Sequence, residues 1–198
     1  MSRVTQAHVD ARTDSILHAA IDSFVKKGVE VSTMQDIATH AGMSAGAIYR
    51  YFPGKTEVLK GVLDQFHEGS RELFAAAREG ASSPREAIER AAYLALEEDG
   101  NKAGSALWME MALASQRYGL AKERSECWVY VVDHLEQLIR EAQGVREIDP
   151  EADARGLALL FLATVKGMMA LTLELNGAAD QALFRKMIKE VMDRFAPR

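Results

Sequence analysis

Apolar residues recur at helical spacing through most of the chain, beginning close to its N-terminus. Over residues 10–27 one face is apolar and consists of Ile16, Leu17, Ala20, Ile21, Phe24 and Val25. Lys26 and Lys27 suit the last turn of a helix, where cations favour the helix dipole, and Gly28 is placed to end it. The pattern predicts an amphipathic helix over 10–27.

Two short helices are predicted next. Residues 33–36, Thr-Met-Gln-Asp, have the form of a capping box and predict a second helix that Gly42 ends after about two turns. Ser44 suits the N-cap of a third helix that reaches Phe52, and Pro53 with Gly54 breaks it. Three helices therefore fall within the first 55 residues.

Six longer helices are predicted in the rest of the chain. They cover about 55–79, 84–98, 103–116, 120–143, 150–175 and 180–195, with Pro84 and Pro150 each in a first turn. We find no convincing strand, so the expected fold is all-α with about nine helices. The pattern divides the chain into a helical head over 1–55 and a larger helical body over 56–198.

Composition narrows the class of protein. With 48% apolar residues in 198, the chain can bury a core, and its one cysteine, Cys127, excludes an internal disulfide. We expect a cytoplasmic protein without a membrane span, since the start is polar and Lys166 and Glu174 interrupt the most apolar stretch. The net charge is −5, but residues 1–60 hold seven Lys/Arg and six Asp/Glu. A near-neutral head on an acidic body is compatible with DNA binding.

The second and third predicted helices fit a helix-turn-helix unit. Gly42 gives the small residue that the tight turn needs, and apolar residues are available to fix the angle between the helices: Ile37, Ala38, Ala41, Met43 and Ile48. Such a unit places its second helix in the major groove of DNA. The outward-facing residues of the third helix are therefore candidates for DNA contact.

The exact residues strengthen this interpretation. The string from Thr33 to Ala38 followed by that from Ala41 to Lys55 closely resembles the DNA-binding region of the TetR family. The resemblance covers about residues 12–63, roughly a third of the chain. It implies an N-terminal three-helix helix-turn-helix domain and a C-terminal helical domain for ligand binding and dimerisation. Tyr51 stands where many relatives have histidine, and Gly54 where Ser, Asn or Asp is usual.

The resemblance also implies roles for individual residues. Thr33, Tyr49 and Lys55 resemble positions that contact DNA phosphates in the family. Positions that face base edges in relatives, or lie further along the same region, are occupied here by Gln35, Ser44, Ala45, Gly46, Ala47, Arg50 and Tyr51. Because residues 45–47 offer no bidentate hydrogen bonds to bases, we expect Gln35 and Arg50 to supply much of the direct readout.

In the body, residues 107–113 and 157–173 are apolar on nearly every face, so a helix formed by either must be buried on two sides. The resemblance implies a two-fold interface made by the last two long helices, about 150–175 and 180–195. It also implies a ligand cavity, for which the candidates are Trp108, Met111, Trp128, Phe161, Met168 and Met169. Ordinary core or interface packing remains an open alternative for each candidate.

We therefore expect a homodimeric repressor that binds a palindromic double-stranded DNA operator and is released by a small, largely apolar effector. The fourth helix, 55–79, is the expected link between head and body. No enzyme, cofactor or metal is expected, because the chain has no P-loop, no dinucleotide-binding glycine pattern and no paired histidines at ligand spacing. Two alternatives stay open. One is a TetR-like DNA-binding protein controlled by a protein partner, and the other is a helical enzyme or carrier whose head is only structural.

Overall fold

The computed structural model describes residues 6–98, 102–175 and 181–197, and within these ranges every regular element is a helix. The helices are α1 (Gln6–Lys27), α2 (Met34–His40), α3 (Ala45–Ile48), α4 (Lys55–Glu79), α5 (Pro84–Glu98), α6 (Lys102–Arg117), α7 (Ala121–Gly144), α8 (Ala154–Glu174) and α9 (Gln181–Arg194). The predicted all-α fold is confirmed. The predicted break at 176–179 lies outside the described residues, as does the first half of the break predicted at 99–104, and the second half is wrong because α6 begins at Lys102.

The contacts group the chain into two compact units that are not continuous in sequence. The first contains the chain up to Phe66 together with Leu107–Arg124, and the second contains His67–Ala106 together with the chain from Ser125 onward. Helix α4 therefore contributes residues to both units. The functional division after residue 55 remains a prediction from the DNA-binding motif.

A single apolar core holds the first unit together. Its fully buried side chains come from α1, the loop after it, α2, α3 and α4: Ile16, Phe24, Val29, Ile37, Ile48, Val58 and Leu59. The face of α1 that periodicity predicts to be apolar is the face that is buried, apart from Val25, which is exposed. Burial of side chains of this size stabilises a fold by about 1.5–3 kcal/mol each, so the short α2 and α3 are held by packing rather than by their own propensity.

In the second unit, α5 packs against α8 and α9. Two ion pairs join elements within this unit: the guanidinium of Arg78 forms two 2.9 Å bonds with the Glu141 carboxylate, and Arg85 of α5 pairs with Asp193 of α9 as well as with Glu89 of its own helix. A small apolar cavity of about 20 Å³ lies among Ile88, Ile139, Ile148, Leu157, Leu160, Phe161, Val191, Met192 and Phe195. It has space for about one water molecule.

Helix α8 begins later than predicted. Pro150 does not start this helix but lies in a turn, in which Ala152 N–H donates to the Asp149 carbonyl at 3.1 Å and Glu151 N–H to Asp149 Oδ1 at 3.0 Å. Proline has the φ angle that the second position of such a turn needs, so it fits there as well as in a helical first turn. Asp153 is the residue that precedes the helix, and its Oδ1 accepts from Arg155 N–H at 3.2 Å. The α3 helix is also shorter than predicted, since α-helical geometry ends at Ile48 and a turn continues to Tyr51.

One stretch of α8 is long and apolar enough to cross a membrane, judged by length and composition alone. It is Ala154–Leu171, with a mean hydropathy of 1.5, and 33% of its residues are buried in the protein. The charges near this region predict that it does not span a membrane, yet the window passes with Arg155 and Lys166 inside it. The core helix of a soluble protein passes the same test, so the window establishes only that α8 carries much uncovered apolar surface.

Candidate nucleic-acid interface

The loop between α1 and α2 is held by bonds that begin at Gly28. This glycine has φ +88°, in the left-handed region, and its N–H donates to the Phe24 carbonyl at 2.8 Å, which ends α1. The buried hydroxyl of Ser32 donates to the Gly28 carbonyl at 2.8 Å and accepts from the Ser23 hydroxyl at 3.0 Å. The residues just before the helix-turn-helix unit thus have a fixed path.

Thr33 and Asp36 form the predicted capping box at the start of α2. Thr33 Oγ1 accepts from Asp36 N–H at 3.2 Å and donates to Asp36 Oδ2 at 2.7 Å, and the same carboxylate accepts from Thr33 N–H at 2.9 Å. The Lys27 ammonium lies 2.5 Å from Asp36 Oδ1. Its hydrogen bond, followed by those from Thr33, holds the pKa of Asp36 well below its usual range. The Thr33 hydroxyl is therefore already engaged within the chain, and its phosphate contact stays a prediction.

A glycine turn joins α2 to α3. Gly42 has φ +63°, and Met43 N–H donates to the Ala38 carbonyl at 2.9 Å, so the chain reverses within a few residues. Ser44 then caps α3 by accepting from Ala47 N–H at 3.3 Å. Both local signals, the glycine and the N-cap serine, were predicted from the sequence and are present in the structure.

The residues predicted to contact bases and phosphates differ in exposure. Six of them are exposed: Thr33, Gln35, Ser44, Gly46, Tyr49 and Arg50. The other four are half-buried: Ala45, Ala47, Tyr51 and Lys55. Tyr49 is 51% exposed even though it is a large aromatic residue, and Phe52 nearby is buried in the core. Tyr51 packs against the same core as a partly buried residue. The structure thus leaves Tyr49 and Arg50 exposed at the end of α3, whereas Tyr51 is half-buried.

Lys55 opens α4, as predicted, but its ammonium already has partners in the chain. Its Nζ donates to the Glu30 carbonyl at 2.9 Å and lies 5.5 Å from the centroid of the Tyr118 ring. Tyr118 follows α6, far from the helix-turn-helix unit in sequence. No local pattern in the sequence indicates this pairing.

The six ligand-cavity candidates do not gather in one unit. Trp108 and Met111 belong to the first unit, where Met111 is part of the core that also contains Phe24 and Ile37. The other four candidates, Trp128, Phe161, Met168 and Met169, belong to the second unit. There Lys166 Nζ lies 4.0 Å above the Trp128 ring, and Phe161 lines the small apolar cavity.

These features define a helix-turn-helix protein. Two short capped helices are joined by a glycine turn, and the second helix ends at an exposed tyrosine and arginine. The family model described as "Bacterial regulatory proteins, tetR family" matches residues 16–62, which include all of this unit. The match begins in α1 and ends in α4.

Relatives and solved structures agree with this match. The HTH-type transcriptional regulator YfiR of Bacillus subtilis is 38% identical over 72 residues, which are 36% of this chain and 35% of that protein. The HTH-type transcriptional repressor KstR2 of Rhodococcus jostii is 27% identical over 162 residues, 76% of this chain and 74% of that protein. The crystal structure of the transcriptional regulator FadR from Bacillus subtilis in complex with stearoyl-CoA has a TM-score of 0.77 at 18% identity, covering 90% of this chain and 96% of that one.

Residues 16–62 of the chain therefore match the DNA-binding region of the TetR family of bacterial regulatory proteins. The chain's alignment with YfiR spans about a third of that relative's length. The likeness to FadR extends over nearly the whole chain and concerns the fold.

Proposed function

We propose that this protein is a dimeric transcriptional repressor that binds a palindromic DNA operator and releases it when a small, largely apolar effector binds. The observation that carries the proposal is the helix-turn-helix unit, in which capped helices and a glycine turn leave Gln35, Ser44, Tyr49 and Arg50 exposed. A tyrosine hydroxyl and a guanidinium can bind phosphates, and glutamine and arginine can also read base edges in the major groove. The match to the family model over residues 16–62 supports the same DNA-binding role.

Dimerisation supports this function physically. One recognition element as short as α3 reaches few base pairs, and a two-fold partner brings a second copy to the other half of a palindrome. The uncovered apolar residues of α8, of the turn directly after it and of α9 favour these two helices as the interface. They are Leu159, Leu160, Leu171, Leu175, Leu183 and Met187.

The effector is proposed to bind in the second unit. FadR of Bacillus subtilis, which has a similar fold, was crystallised with stearoyl-CoA, a ligand with a long apolar chain. Here α4 and α7 bring His67 and Phe74 together with Tyr130 and His134, with ring centroids of 4.9 Å between His67 and Tyr130. Among the described residues, the buried Nε2 of His67 has no hydrogen-bond partner. This aromatic cluster around Tyr130, with its hydrogen-bonding nitrogen, favours an apolar effector that carries one polar group.

The proposal is tested by fluorescence anisotropy with the purified full-length protein. Labelled duplexes come from the DNA that flanks its own gene and, separately, from in vitro selection out of random duplex DNA. We expect tight, salt-sensitive binding to a palindrome, and we expect Tyr49→Ala to weaken it by about tenfold because a phosphate contact is lost. Tyr93→Ala, which removes a tyrosine of the second unit, is the control.

Equal, weak binding to every fragment, including the selected ones, would contradict the DNA-binding function. If a selected palindrome is bound, compounds that raise the melting temperature are then screened for release of that DNA. Release by a small apolar compound supports the repressor mechanism. Release only by another protein would instead support control by a protein partner.

A further inference from the structure

The first unit, which contains the helix-turn-helix, also includes a segment that lies some 40 residues further along the chain than Phe66. Leu107–Arg124, which comprises most of α6 and the start of α7, belongs to the first unit. Its buried side chains share the core of α1, α2 and α3, and they are Leu107, Met111, Ala114 and Leu120. The segment is therefore a structural part of the unit that contains the helix-turn-helix.

Polar contacts from this segment converge on the loop that leads into α2. Glu110 Oε2 accepts from the Val29 N–H at 2.5 Å, and Arg117 Nη1 lies 2.9 Å from Glu30 Oε1. The Glu110 carboxylate also lies against Gly28, where an added Cβ would meet Oε2 at 3.3 Å. Glu110 thus holds the backbone at Val29, and Arg117 holds the side chain of Glu30.

The same loop forms a hydrogen bond with Lys55, the lysine that is expected to contact a DNA phosphate. Glu30, whose side chain pairs with Arg117, offers its carbonyl to Lys55 Nζ at 2.9 Å, while the Tyr118 ring lies 5.5 Å from that nitrogen. An ammonium has three N–H donors, so one bond to a carbonyl leaves two donors for a phosphate. A ring face attracts a cation but takes up none of these donors.

We propose that Tyr118 is a positioning residue for DNA binding, which holds the Lys55 ammonium, together with the Glu30 carbonyl, in the place where it binds a backbone phosphate. Glu110 and Arg117 support this arrangement by fixing the loop that carries Glu30. The inference rests on the proposed DNA-binding function and adds to it a residue outside the helix-turn-helix unit. The physical effect is pre-organisation, since a long lysine side chain that is already ordered loses less conformational freedom when it meets the phosphate.

The test is a double-mutant cycle in the full-length protein, using the selected palindromic duplex and fluorescence anisotropy at several salt concentrations. Tyr118→Leu removes the ring and keeps apolar bulk, and we expect it to weaken binding about three- to fivefold at each half-site, the value of an exposed cation–ring contact. Tyr118→Phe keeps the ring, and we expect it to restore affinity to within about twofold of the wild type. Lys55→Met should lower the slope of log affinity against log salt by about 1.8 for the dimer, because each protomer loses one phosphate contact worth about 0.9.

The decisive comparison is made in the Lys55→Met background. If Tyr118 acts through the lysine, Tyr118→Leu has no further effect on affinity there, because the cation that the ring positions is gone. Melting temperatures of all five proteins are recorded beside the affinities, so that a general loss of folding is recognised. A structural role alone would make the two substitutions additive.

Additive losses, or an unchanged affinity in Tyr118→Leu, would overturn the inference while leaving the proposed function intact. Failure of the wild-type protein to bind any selected duplex would contradict the proposed function and the inference with it. The two failures are therefore distinguishable within one set of titrations.

Discussion

At the scale of single residues, Asp36 connects three features of the head. Its carboxylate completes the cap of α2, holds Thr33 by its backbone and its hydroxyl, and pairs with Lys27 at the end of α1. A carboxylate near a helix N-terminus is also favoured by the helix dipole. The residue is half-buried, with 23% of its side chain exposed, so solvent screens part of its contribution, but it fixes the position from which Thr33 would reach a phosphate.

Asp36→Asn tests this role through its pH dependence. The hydrogen bonds from Lys27 and Thr33 lower the pKa of Asp36 below its ordinary value of 3.8, so the folded state favours the ionised form. The stabilisation is present above that ordinary value and is lost as the pH falls below it. We expect the substitution to lower Tm by about 1–3 °C at pH 7 and to have less effect at pH 3, measured by circular dichroism.

The control for this comparison is Asp64→Asn, which changes an exposed aspartate of α4. An Asp36→Asn deficit that stays the same between pH 7 and pH 3 would contradict the proposed role of the ionised carboxylate.

The local signals of the head could be predicted from the sequence, because each depends on neighbouring residues. The capping box at Thr33, the glycine turn at Gly42 and the N-cap at Ser44 are contacts within three to five positions. The bond between Glu110 and Val29 spans 81 positions, and no periodicity in either segment indicates it. Local chemistry thus predicts the fold class and the candidate DNA interface, but not the part of the interface that tertiary packing brings in.

At the scale of elements, the apolar pattern of α8 does not indicate which face of the helix is covered by the rest of the chain. Its sequence is apolar on nearly every face, which predicts burial on two sides, and in the structure one side is indeed uncovered. Leu160, Gly167 and Leu171 are exposed and stand seven and four positions apart, which places them on one face of the helix. An added Cβ at Gly167 would meet no atom within 4 Å, so this face has room for the close approach of another helix.

Leu171→Glu is expected to disrupt dimerisation, because it places a charge in the apolar face that would be buried. The mutant should run as a monomer in analytical ultracentrifugation where the wild type is a dimer. It should also lose about a hundredfold or more in affinity for a palindrome, because the second half-site is no longer engaged together with the first.

The matched control is Leu113→Glu, since Leu113 is an exposed leucine of α6 at 62% exposure and lies outside the proposed interface. It should remain dimeric. A Leu171→Glu protein that is still dimeric would show that another surface joins the protomers.

At the scale of the whole molecule, α4 has residues in both units, as α6 and α7 do, and it begins directly after the helix-turn-helix unit. In the second unit, Arg71 of this helix lies 5.5 Å from the Tyr130 ring and 3.7 Å from the Glu68 carboxylate. If effector and operator favour different positions of this helix, each must weaken the binding of the other by the same factor. The aromatic cluster around Tyr130 is then a place where the effector could bias the helix.

Arg71→Ala is expected to reduce this coupling factor more than it changes either affinity alone. The measurement is a pair of titrations: operator affinity with and without the effector, and effector affinity with and without the operator. Glu72→Ala, at the next and equally exposed position of α4, is the control. Equal losses of operator and effector affinity, with the coupling unchanged, would contradict the role of Arg71.

The discontinuous first unit has a consequence for exchanging parts between regulators of this family. A chimera that joins residues 1–66 of this protein to the sensor of another would lack three residues of the far segment that share the buried core with Phe24 and Val29, namely Leu107, Met111 and Leu120. It would also leave the Val29 N–H without its carboxylate acceptor. A transplant that keeps Leu107–Arg124 with the head preserves both, so the boundaries for swapping specificities should follow the three-dimensional unit rather than the linear order of the chain.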